Sequence, residues 1–196
     1  MAELQTISVL KDVVVPLFAA VIGAGGALVA GYFTVVKPQR EQHRFEDASA
    51  HFETTAFFQA VHLAASTIAK NQPLGEMEGV TRQHIVRFID TVSKLAVRLN
   101  KVLPNAKGNE LFHLMIIELD RLGRKPVLDR HAVLFAYSAA ATTGLLLGTA
   151  DRNECTKLLA TIENSDEKEL AWFFRSVVDG VLPSDIRQEV RSRAST

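Results

Sequence analysis

The chain has 196 residues, nearly half of them hydrophobic, with 22 basic and 22 acidic side chains. That length suits one compact domain, and a net charge of zero excludes the dense cationic surface that general nucleic-acid binding needs. The lone cysteine excludes an internal disulfide and suits a reducing compartment.

From the N-terminus, Val13 to Val36 run without a charged side chain, flanked by Lys11 and Asp12 before and Lys37, Pro38, Gln39 and Arg40 after. About 20 apolar residues suffice to cross a bilayer as a helix, so the run predicts an N-terminal transmembrane helix. It outlasts the apolar core of a cleaved signal peptide, although Gly25-Gly26-Ala27 offers a small-residue site. Lys37, Arg40 and Arg44 follow the span, whereas only Lys11 precedes it. Basic residues beside a span stay cytoplasmic, which places residues 1–12 outside and the remainder inside a membrane, a bacterial inner membrane on this reading. The same three cations are candidates for lipid head-group contact. Ala19, Gly23, Ala27 and Gly31 recur every fourth residue, a small-residue ridge on which two spanning helices approach closely, and the expected partners are the bilayer and further copies of the chain.

Beyond the span the pattern is helical. No breaker interrupts Gln39 to Lys70, so the anchor is expected to continue as a juxtamembrane stalk (37–71) with Phe45, Ala48, Phe52, Ala56, Gln59 and Leu63 as its stripe. Gln72-Pro73-Leu74-Gly75 ends it. A bundle over 81–193 follows. Thr81–Leu103 is expected to present Ile85, Phe88, Ile89 and Val92, and Asn109–Leu122 to present Phe112, Met115 and Leu119. Asp129 caps a helix over 130–150. Asp151 with Glu154, and Asp166 with Glu169, have capping-box spacing for helices over 152–163 and 167–182. A last helix covers 184–193, carrying Arg187, Arg191 and Arg193 along one edge. The fold class is therefore all-α, a transmembrane helix continuing into a cytoplasmic bundle of about five to six helices.

Ala132–Ala150 is uncharged and has its own small-residue ridge, Ala136, Ala140, Gly144 and Gly148. Its serine and threonines favour a helix sheathed by neighbours over a second span.

Candidates for chemistry are sparse. Glu110 and His113 have the i, i+3 spacing of one limb of a di-metal site, but no second limb exists, and neither a metal nor a cofactor is expected. Cys155 has no histidine or second cysteine near it in sequence. Arg124 and His131 enclose six residues, a spacing that resembles the Arg-x(4–6)-His element of the HEPN ribonucleases, small helical proteins that dimerise around a scissile phosphate. That resemblance implies Arg124 as a phosphate contact and His131 in proton transfer, yet Lys125 stands where that family carries a short polar residue. The sequence thus favours a non-enzymatic, self-associating membrane protein, an interaction or sensor module or a pore-forming effector with an unidentified protein or small-ligand partner. A membrane-tethered ribonuclease is the alternative.

Overall fold

A computed structural model describes residues 37–103 and 105–195, with side chains from Ala48 on except those of 95–102. The span Val13–Val36 with its Ala19, Gly23, Ala27 and Gly31 ridge lies outside the described residues, as do the side chains of Lys37, Arg40 and Arg44. The described chain is all-helical: α1 Lys37–Ala69, α2 Glu76–Val102, α3 Ala106–Gly123, α4 Arg130–Leu147, α5 Arg152–Glu163, α6 Lys168–Val181 and α7 Ser184–Ala194. No strand occurs among these residues. By contacts, the described residues from Ala48 on form one compact unit.

The hub is α4. Ala132, Val133 and every residue from Phe135 to Leu145 are buried. Two of its three buried hydroxyls between Ser138 and Thr143 are satisfied within the helix, and that of Thr143 has no partner. Ser138 Oγ donates to the Leu134 carbonyl and Thr142 Oγ1 to that of Ser138, both at 2.9 Å. Among the described residues no helix is long and apolar enough to cross a membrane, and the Ala132–Ala150 stretch is a core helix rather than a second span. Its small-residue ridge is used in two ways. Ala136 and Ala140 are packed with zero exposure. At Gly144 a Cβ would stand 2.6 Å from that of Ala150, so only glycine lets the chain fold back there. Gly148 is no packing residue but the left-handed C-cap, at φ 65°.

Two predicted caps hold. Asp129 accepts from the Ala132 N–H at 2.7 Å, and Asp151 from that of Glu154 at 2.8 Å. The Asp166–Glu169 box does not form. The N-cap is Glu167, which makes no side-chain cap bond, because its carboxylate faces Arg130 and His131 instead. α2 begins at Glu76, five residues before the expected start. There Glu78 accepts from Arg82 and from the Leu128 N–H, which fastens the first turn to a distant loop. α3 begins at Ala106, not Asn109, since Asn105 accepts from the Gly108 N–H at 2.8 Å.

The stripe expected on the first helix is on the wrong face. Phe52 is 69% and Leu63 54% exposed. The core takes Ala50, Thr54, Phe57, Val61 and Ala64, also at helical spacing, because Phe57 stacks on Phe88 of α2 with ring centroids 4.3 Å apart. Both faces carry apolar residues at intervals of three and four, and only tertiary contact selects between them.

The basic edge of α7 is tied back into the bundle. Arg191 NH2 reaches both carboxylate oxygens of Asp179, at 2.7 and 2.6 Å, and Arg187 donates to the Asp179 carbonyl. Arg193 bonds Asn153, and Arg152 bridges Asp185 and Glu189. Beneath them Glu163 is 3% exposed, 3.7 Å from Arg191, with Oε1 lacking a hydrogen-bond partner. Burial raises its carboxyl above the usual range, and Arg191 and Arg175 only partly offset this. A carboxyl raised on folding contributes stability that is lost as pH climbs through its folded-state value. Glu163→Gln should therefore raise the melting temperature at pH 7, with the gain shrinking as pH falls toward 4. Equal gains at both pH values would show that Glu163 does not titrate this way.

Candidate functional site

A groove of about 600 Å³ lies between α3 and α6, with the start of α4 as its floor. α3 supplies Leu114, Ile117 and Glu118, spaced three and four apart so that they share one face. α6 supplies Lys168, Glu169, Trp172 and Phe173, and α4 supplies His131 and Phe135. The two walls meet tightly at one end, where a Cβ on Gly180 would stand 2.5 Å from Leu111 Cδ1. The groove opens toward the other.

Its floor is aromatic. Phe135 lies 5.3 Å from Phe173 and 5.1 Å from Phe174, centroid to centroid, and the two α6 rings meet edge to face. Above it stand large apolar side chains in water: Trp172 is 70%, Ile117 64% and Leu114 46% exposed. Charge of both signs rims these residues. Glu118 is clamped by Arg121 through two hydrogen bonds, which hold its carboxyl below the usual range against the opposing effect of burial. His131 Nδ1 is 3.2 Å from Glu167, which also faces Arg130 at 3.5 Å.

Arg124 and His131 each engage a carboxylate. Arg124, at the C-cap of α3, is 78% exposed and engages Asp120 at 2.8 Å, whereas His131 is turned to Glu167 in the groove wall. Glu110 and His113 are exposed on α3, and no cluster of three or more His, Cys, Asp or Glu suited to a metal occurs among the described residues. Cys155 is fully buried, and burial first, then the nearby Glu154 and Asp151, pushes its thiol up to about 12. It is a neutral core residue, not a nucleophile. Sequence reasoning missed Trp172, Ile117 and Leu114, which lie off the apolar stripes that spacing marks and carry no other signal. Glu167 was missed because its partner His131 lies 36 positions away.

No family model, no curated protein and no solved structure matches the chain.

Groove floor and rim differ in what they contribute to stability. Phe135 is 3% exposed, so Phe135→Ala should cost about 3–5 kcal/mol. The half-open His131–Glu167 pair is worth far less, and His131→Gln should cost under about 1 kcal/mol. Urea unfolding of both variants checks this, and equal losses would contradict the packing described.

Proposed function

We propose that the chain is a membrane-anchored, self-associating helical protein, an interaction or sensor module or membrane effector rather than an enzyme, in which the α3–α6 face is a contact between copies. The observation that carries this is the exposed set Trp172, Ile117 and Leu114. Contiguous apolar surface of this kind marks an interaction site. The occupant argued for is a second copy of the same face. Glu118, Glu169, Lys168 and Arg121 surround an apolar centre with both signs of charge, the mixture that a self-complementary two-fold contact needs.

The uncharged run Val13–Val36 supports an anchor, with residues 1–12 outside and the bundle in the cytoplasm, and the Ala19, Gly23, Ala27 and Gly31 ridge supports a second contact between copies within the bilayer. Lys37, Arg40 and Arg44 would then meet anionic head groups. Pore formation is the effector form of this reading, in which several anchors close around an axis.

The competing reading, a membrane-tethered ribonuclease resembling the HEPN enzymes, draws support from a histidine held by a carboxylate, His131 on Glu167. It requires Arg124 to leave Asp120.

Light scattering on the detergent-extracted full-length chain tests the proposal. The wild type should be a defined oligomer, and Trp172→Glu with Ile117→Glu should reduce its mass. Adding Gly23→Leu and Gly31→Leu should yield monomer. A monomeric wild type, or an oligomer indifferent to all four changes, overturns it. RNA cleavage that is abolished by His131→Ala in the same preparation would move the nuclease reading ahead.

A further inference from the structure

The outer face of α1 has no counterpart within the bundle. Ala50, Thr54, Phe57, Val61 and Ala64 turn into the core. On the opposite side runs a second row at intervals of three and four, Ala48, Phe52, Ala56, Gln59 and Leu63. Ala56 is half-buried and the other four are exposed, the two large apolar ones at 69% and 54%.

This face is not composed for water. A helix covered on one side ordinarily carries charge on the other. From Ala48 to Ala69, α1 holds a single Asp, Glu, Lys or Arg, the half-buried Glu53, and no residue of those types stands at an exposed position. α2 behaves in the ordinary way and exposes Glu76, Arg87, Asp90 and Lys94.

The face is also held outward. Gln59 and Leu63 rim a cleft of about 480 Å³ between α1 and the α4–α5 turn, and behind it the Tyr137 hydroxyl and His62 Nδ1 are 2.5 Å apart. With Phe57 stacked on Phe88, that bond fixes the rotation of α1 about its own axis. The row therefore cannot roll into the core.

The preceding chain argues for what covers it. The uncharged run Val13–Val36 stops where α1 starts. An anchor of that kind gives every copy the same direction out of a bilayer, so neighbouring copies present α1 in parallel. The registers agree as well. Ala27 of the small-residue ridge, Phe45 and Leu63 follow one another at 18 residues, five turns of about 3.6, so a helix carried through from the anchor keeps ridge and row on one side. We infer that α1 pairs along this row with α1 of a second copy, the two helices parallel, with Phe52, Gln59 and Leu63 each meeting its counterpart. Ala56, small and central, lets the two backbones close. The inference rests on the anchored, self-associating reading and adds to it a contact outside the bilayer and apart from the α3–α6 face.

Disulfide cross-linking of the detergent-extracted full-length chain tests this. Cys155 is fully buried, so the wild type should give no cross-linked dimer. Phe52→Cys, Gln59→Cys and Leu63→Cys should each give one under mild copper-phenanthroline oxidation, because like positions on the row approach within the Cα separation of about 4.4–6.8 Å that a disulfide spans. His51→Cys and Glu53→Cys stand about 100° round the helix from Phe52, one to either side, and should cross-link at least tenfold more slowly. Gln59→Cys changes an exposed polar position, so it reports even if the two apolar replacements disturb the fold. Row positions no faster than the two flanking ones, in a preparation that light scattering shows to be oligomeric, overturn the pairing and leave the other contacts standing. A monomeric preparation overturns the pairing and the self-associating reading together.

Discussion

The rest of the bundle depends on the burial of α4 from Ala132 to Leu145. A helix covered over most of its length leaves little freedom in how its neighbours sit, since each of α3, α5 and α6 must cover part of it. Sequence meets that demand with small residues. The run of three alanines at 139–141 admits close neighbours on every side, and Gly144 admits the returning chain at Ala150. The two hydroxyls that bond back to their own helix remove a penalty that the interior would otherwise exact. The Asp129 cap and the Gly148 left-handed cap define where this helix stops, and with it where both concavities lie.

The concavities belong to opposite ends of α4. His131 and Phe135, at its start, floor the groove between α3 and α6. Tyr137, two residues beyond Phe135 and so on the opposite side of the helix, backs the cleft at α1, and the chain beyond Gly148 supplies the far wall. Their chemistry differs accordingly. The first offers aromatic and aliphatic surface rimmed by charge of both signs and suits a protein face. The second is lined by Thr54, Phe58, His62, Asp151 and Glu154.

Much of the fold is legible in the sequence because its signals are local. Asp129 and Asp151 announce helix starts through bonds that span three residues, and Ile85, Phe88 and Val92 announce their buried face by spacing alone. Failures occur where a distant partner decides. Glu167 makes contact with His131 and Arg130 instead of completing the expected box, and Phe88 selects which face of α1 is buried. Asn105 is a local cap that the adjacent Pro104 disguised as an extended turn. The sites are harder still. Spacing made Arg124 and His131 look like a pair, yet each is engaged by its own carboxylate.

Native-state amide hydrogen exchange on the full-length chain tests the organising role of α4 most directly. Amides from Val133 to Leu145 should be the slowest in residues 48–195, opening only with global unfolding, while those of α7 exchange through smaller, local openings. Exchange of α4 as fast as that of α7 would contradict the account, for it would mean that the bundle does not depend on its buried helix.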